Sequence, residues 1–224
     1  AILRAWRETE HMGDAEAMKS FESMGGEGAA PAARAARDAT ILVSVVVNAA
    51  QTEAVLFGEA GAAAAMARGG VIISSATMSP DDARRLAGRA EALGLHYLDA
   101  PISGGAARAA AGELTVMASG TPQAFATARP ALEAMAATVY ELGDAAGTGA
   151  AFKMVNQLLA GVHIAAACEA MTFAAKLGLD LPTVYKVITA SAGNSWMFEN
   201  RVPHILDGDY SPRSAVEIFT KDLG

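Results

Sequence analysis

The run Asp99-Ala100-Pro101-Ile102-Ser103-Gly104-Gly105, closed by Gly112, is followed downstream by Gly147-x-Gly149-x-x-x-Lys153-x-x-Asn156-Gln157. A hydroxyl ahead of two glycines offers consecutive backbone N–H groups where no side chain blocks approach, a nest of donors suited to a carboxylate. Taken alone, the glycines also read as an ordinary tight turn. Lys153 lies early in an apolar stretch, beside Phe152, Met154 and Val155. A lone lysine is by default a solvated one, but desolvation in such a setting lowers its pKa from about 10.4 and makes a neutral amine available as a general base. Gln157, four residues on and on the same helical face, is placed to orient a substrate hydroxyl. Together the two motifs form a layout for handling a small carboxylic acid.

Other reactive side chains carry less. His163 is about 15 Å from Lys153 along a helix axis, too far to share one substrate atom, and Glu169 is about 24 Å away. His163 therefore reads as a core or interface histidine and Glu169 as a buried structural acid. Neither these residues nor His11, His96 and His204 show metal-ligand spacing, so no metal is expected. Cys168, the single cysteine, reads as packing. Asn194-Ser195-Trp196 is a polar break with a large aromatic, either a helix cap with a core tryptophan or part of a substrate site. Lys221-Asp222 reads as a solvated charged pair.

These residues need a scaffold, and the chain patterns one. Thr40 to Val47 is an almost unbroken β-branched run, as in a strand covered on both faces, and Val71 to Ser75 is a second. His96 to Asp99, Leu114 to Ser119 and Val139 to Leu142 complete the strand set. Helical segments fall between them at Ala30 to Asp38, Gln51 to Phe57, Ala60 to Met66, from Ser79-Pro80-Asp81-Asp82 to Gly94, and at Pro122 to Met135. The Ser-Pro-Asp-Asp start supplies an N-cap, a first-turn proline and two first-turn acids. Alternating strands and helices imply a doubly wound, Rossmann-type and mostly parallel sheet, with ligands gathering at the carboxyl ends of the strands. From Ala150 to Leu177 there is no proline and one glycine, so a single helix of about 28 residues, about 42 Å long, is expected. Its apolar character nearly all round suggests burial between domains or subunits. Helices at Leu181 to Ala190, Met197 to Leu206 and from Ser214 onward follow. The expected organisation is α/β, with a dinucleotide-type domain over 1–145 and an all-α second domain over 146–224 that the long helix joins.

Bulk composition excludes several classes. At 224 residues, 52% hydrophobic and 18% charged, the chain is a compact globule and not a disordered one. A formal charge of −7 without a basic stripe argues against nucleic acid as a partner. No unbroken apolar run approaches the roughly 18 residues of a membrane span, and no signal peptide opens the sequence. One cysteine suggests a reducing compartment, so a cytoplasmic protein is expected.

The joint motifs resemble the β-hydroxyacid dehydrogenase family, which includes 3-hydroxyisobutyrate dehydrogenase, tartronate semialdehyde reductase and 6-phosphogluconate dehydrogenase. Asp99 to Gly112 matches the family's substrate signature, Gly147, Gly149 and Lys153 its catalytic signature, and Ala76-Thr77-Met78-Ser79-Pro80 its Ser-Thr-x-Ser-Pro segment. The resemblance implies that Ser103, Gly104 and Gly105 hold the substrate carboxylate and that Lys153 is the general acid/base. It places Asn156, Gln157 and Trp196 at the substrate, and Asn48, Ala49, Thr77 and Lys221 at the cofactor. It further implies NAD or NADP, with NAD the first expectation, and a homodimer or homotetramer. Gln157, in place of the family's frequent Asn, and Arg213-Ser214, in place of Gly-Phe, suggest a polar pocket. The runs Gly193 to Arg201 and Asp209 to Val216 look like those of members acting on four-carbon sugar acids such as L-threonate. Activity on 3-hydroxyisobutyrate or tartronate semialdehyde is the alternative within the family, and a non-catalytic dinucleotide-binding protein is the alternative outside it. No Gly-x-Gly-x-x-Gly precedes Ile41, and the ribose-binding acid falls near Met12 or Asp14. The sequence is accordingly expected to be part of a longer protein.

Overall fold

The computed structural model describes residues 4–5, 14–211 and 217–223. The chain forms two compact units, Ala1–Lys153 and Met154–Gly224. Their boundary falls inside the long helix, whereas the composition of the sequence changes at the turn before it.

The first unit is α/β. Strands β1 (Arg4–Ala5) and β2 (Glu27–Gly28) pair in parallel, with helix α1 (Asp14–Ser23) between them in sequence. Helix α2 (Ala32–Ala35), strand β3 (Ile41–Ser44), helix α3 (Ala49–Phe57), a 3-10 turn at Ala63–Ala65, strand β4 (Val71–Ser74), helix α4 (Pro80–Ala92) and strand β5 (His96–Asp99) follow. A second group contains β6 (Ile102–Ser103), α5 (Gly105–Ala110), β7 (Leu114–Ala118), α6 (Pro122–Met135) and β8 (Ala136–Glu141). Strands β3, β4 and β5 form one parallel sheet in that order. In a further three-stranded sheet β7 pairs in parallel with β8 but antiparallel with β6. A bridge between Asp99 and Ser119 ties the end of β5 to the residue after β7.

Strand β4 shows why these sequences choose strands. All four of its residues are buried, with Ile72 in one apolar cluster beside Val55, Leu56, Leu86 and Ala90, and Val71 and Ile73 in another beside Ala124, Phe125, Ala128 and Leu132. Helices thus cover both faces, which is why the strand reads as a continuous hydrophobic run instead of an alternating one. Helix α4 starts as its sequence dictates, the Ser79 hydroxyl accepting the Asp82 amide at 3.1 Å with Pro80 and two acids in the first turn.

Several local expectations are corrected. Strand β3 ends at Ser44 because its partner β4 ends at Ser74, and Val45 and Val47 lie beyond the ladder, exposed. The helix expected over Ala30 to Asp38 is four residues long, and that over Ala60 to Met66 is one 3-10 turn. The short antiparallel strand β6 was not legible, because two residues between a proline and a glycine pair have no periodicity to read.

The second unit is helical. It holds most of α7 (Thr148–Lys176, 29 residues), then α8 (Leu181–Thr189), α9 (Trp196–Leu206) and α10 (Glu217–Leu223). Ala167, Met171, Phe198 and Val202 form its core, with Tyr185 and Phe198 stacked at 6.0 Å. Within this chain α7 is less buried than expected: Val155, Leu158, Leu159 and Val162 are exposed, as are Cys168 and Glu169. The helix is also long and apolar enough to cross a membrane by length and composition, with a mean hydropathy of 1.6. Counting unbroken apolar runs misses this because Lys153, Asn156, Gln157 and His163 interrupt it.

Candidate active site

The turn after β5 and the start of α7 meet around Lys153. Lys153 is 7% exposed, and its Nζ donates to the carbonyl oxygen of Ile102 at 2.9 Å. Ile102 directly precedes Ser103, so the amine is held at the strand that leads into the glycine turn. Gly104 has φ of 139°, a conformation that strains any residue with a Cβ. A Cβ there would also lie 2.9 Å from Cβ of Arg108, whereas nothing stands within 4 Å of one built on Gly105. The turn is therefore tight at Gly104 and open beside Gly105.

Asp99 anchors the start of α7. It is 1% exposed, and its Oδ2 accepts the amides of Gly147 at 2.9 Å and Ala150 at 2.8 Å and the Ser119 hydroxyl at 3.4 Å. Ser119 Oγ in turn accepts the amide of Gly149 at 2.9 Å. The first helical i to i−4 bond here is Ala151 N–H to Gly147, so Asp99 and Ser119 satisfy three of the amides that no intrahelical carbonyl can reach. A Cβ on Gly149 would come within 2.4 Å of the Met117 carbonyl oxygen and 2.7 Å of that of Asp99, which requires glycine at this approach. Burial pushes the Asp99 carboxyl above the usual 3.8, against the opposing pull of the Ala150 and Gly147 amides and the Ser119 hydroxyl.

In the second unit the polar residues form a separate network. Gln157, 8% exposed, donates Nε2 to Oδ2 of Asp222 at 2.6 Å, and its Oε1 accepts from Nδ2 of Asn156 at 3.1 Å. Lys221 Nζ lies 2.5 Å from Oδ1 of Asp222, whose side chain is only 2% exposed. The reading of Lys221-Asp222 as a solvated pair is thus corrected for the acid. Trp196 opens α9, 49% exposed, behind a cap in which Ser195 Oγ accepts the Phe198 amide. It is not a core tryptophan. His163 is half-buried.

Residues 11–143 match the family described as the NAD binding domain of 6-phosphogluconate dehydrogenase, and residues 147–224 match that described as NAD-binding of NADP-dependent 3-hydroxyisobutyrate dehydrogenase. The chain is 56% identical to L-threonate dehydrogenase of Cupriavidus necator over 93% of its own length and 70% of that protein's. It belongs to the β-hydroxyacid dehydrogenase family. Against L-threonate dehydrogenase of Escherichia coli strain K12 identity is 53%, over 82% of this chain but only 61% of the relative. The crystal structure of 3-hydroxyisobutyrate dehydrogenase from Salmonella typhimurium superposes with a TM-score of 0.90 at 49% identity, covering 98% of this chain and 75% of that one.

A β-hydroxyacid dehydrogenase uses a nicotinamide dinucleotide. Past the carboxyl end of β3, Val45 and Val47 are exposed, and Asn48, Ala49 and Thr77 are half-buried. Asn48 caps α3, accepting the Gln51 amide, while Gln51 Oε1 accepts the Val47 amide, so the loop is held in place. No Gly-x-Gly-x-x-Gly turn for the diphosphate occurs in this sequence. Met12 and Arg213-Ser214, named above for cofactor and substrate preference, lie outside the described residues. Among those described, no group of three or more His, Cys, Asp or Glu is placed to hold a metal ion.

Sequence reasoning assigned no role to Ile102, Ser119 or Asp222, nor to Asp99 beyond its place in a signature. For Asp99 a signal existed: an acid closing a buried strand needs N–H donors, and the glycines before Lys153 are where such donors come cheaply exposed.

Proposed function

We propose that this β-hydroxyacid dehydrogenase oxidises a hydroxyl of a small hydroxy acid, a four-carbon sugar acid such as L-threonate, with NAD or NADP as hydride acceptor. The observation that carries the reading is the buried Lys153 amine on the Ile102 carbonyl, one residue from the Ser103-Gly104-Gly105 turn. A neutral amine that donates one hydrogen to Ile102 keeps its lone pair for the substrate's hydroxyl proton. Ser103, Gly104 and Gly105 bind the carboxylate, which sets the carbinol carbon against the nicotinamide. The bound nicotinamide supplies the electrophile that takes the hydride as the C–O bond becomes C=O. In this reading Asn48, Ala49, Thr77 and Lys221 serve the cofactor, and Asn156, Gln157 and Trp196 serve the substrate.

The share of identity with the two L-threonate dehydrogenases supports the sugar acid, and a Gln157 amide held by Asp222 is suited to a hydroxyl-rich ligand. The likeness to a 3-hydroxyisobutyrate dehydrogenase structure favours that acid, or tartronate semialdehyde in the reverse direction, as the second reading. In this proposal residues 1–145 form the cofactor domain and 146–224 the substrate and subunit-pairing domain. Apolar side chains exposed along α7 support a homodimer or homotetramer. A cytoplasmic location without membrane or nucleic-acid partner is in keeping with the charge of −7, the single cysteine and the polar residues interrupting α7. The test is a panel of hydroxy acids with full-length protein, NAD and NADP, followed at the reduced-nicotinamide absorbance band. L-Threonate should give the highest kcat/KM; turnover of none of the acids with either cofactor would end the proposal.

A further inference from the structure

We infer that Asp99 is a positioning residue that sets where Lys153 stands, by gripping the first turn of α7 from the end of β5. The inference rests on the reading of Lys153 as the acid/base, and on a closed circuit of contacts. Oδ2 of Asp99 holds the amides of Gly147 and Ala150, α7 carries Lys153 one turn further, and Lys153 Nζ returns to the carbonyl of Ile102, three residues beyond Asp99. Ser119 widens the grip. Its hydroxyl takes the Gly149 amide and donates towards Asp99, while its backbone exchanges hydrogen bonds with Asp99 at 2.8 and 3.0 Å.

The geometry makes the coupling stiff. Gly149 sits against the carbonyls of Met117 and Asp99 so closely that a Cβ does not fit, so the helix end packs directly on the backbone of β5 and β7. The substrate turn leaves the same strand end, with Met117 N–H bonded to the Pro101 carbonyl at 2.9 Å. Amine and carboxylate-binding turn are therefore referenced to one carboxylate. An acceptor oxygen at the N-terminus of a 29-residue helix also matches the helix dipole.

The test compares Asp99→Asn, Asp99→Ala, Ser119→Ala and Lys153→Ala in the full-length protein, with kcat and KM for the best acid of the panel and with hydrogen–deuterium exchange of peptides covering 146–153 in the absence of substrate. In Asp99→Asn one amide oxygen remains to accept both N–H groups, so exchange should rise modestly and kcat should fall by about tenfold, with KM for the acid changed less than about threefold. Asp99→Ala, if it folds, should show full loss of protection and a further fall in kcat; if it does not fold, Ser119→Ala supplies the second point, with faster exchange and a kcat between wild type and Asp99→Asn. Wild-type exchange and wild-type kcat in Asp99→Asn would overturn the inference, as would a change confined to KM. If Lys153→Ala keeps normal turnover, the reading of Lys153 fails instead, and the exchange data still report on the grip.

Discussion

Nζ of Lys153 stands 2.9 Å from the carbonyl oxygen of Ile102, so a residue on a helix and a residue on a two-residue strand, 51 positions apart, share one hydrogen bond. Main-chain carbonyls do not titrate, and this one fixes the amine without donating a competing proton. Lys153→Arg can still donate to a carbonyl, but a guanidinium holds its proton at neutral pH and cannot act as a base. Its kcat should fall by about 10²- to 10⁴-fold, while the Kd for the cofactor, measured by fluorescence titration, stays within a few-fold of wild type.

Stability should depend on pH through Asp99. Its carboxyl is raised above 3.8 by burial, so between 3.8 and the folded value the native state binds more protons than the unfolded one. The contribution is fully present below 3.8 and is lost as pH rises through the folded value. Urea midpoints of wild type should therefore decline relative to those of Asp99→Asn as pH rises from 4. A parallel pair of curves would show that the carboxyl is not raised.

Asp222→Ala removes the acceptor of the buried Gln157 amide. An unsatisfied buried donor costs about 1–3 kcal/mol, and chemical denaturation should register a loss of that size. Asp222→Asn, which keeps an acceptor oxygen, should lose less.

Gly149→Ala should be among the most damaging single methyl additions in the chain. Two carbonyl oxygens at 2.4 and 2.7 Å from the new carbon belong to the backbone of β7 and β5, and neither can swing aside. A destabilisation of about 1–3 kcal/mol is expected from overpacking of this kind, read as a lowered Tm. Gly105→Ala, with open space around its Cβ but φ of 72°, tests strain without a clash and should cost about 1 kcal/mol.

Much of the architecture was legible along the chain. The all-buried β4, the Ser79-Pro80 start of α4, the proline-free length of α7 and the helices at Leu181 and Trp196 follow from local rules, because periodicity, caps and breakers act over a few residues. The two motifs likewise marked Ser103 to Gly105 and Lys153 as one chemical unit, since a nest and an amine have meaning as residue types. What the sequence left open was every relationship set by long-range approach. That Lys153 would bond to Ile102, that Asp99 and Ser119 would close the start of α7, and that Asp222 would be buried on Gln157 each depend on segments brought together from 30 to 65 positions apart. Residue identity determines which groups can donate, accept or desolvate; only the packing of one element against another decides which of them meet, because a hydrogen bond is made or lost within a fraction of an ångström.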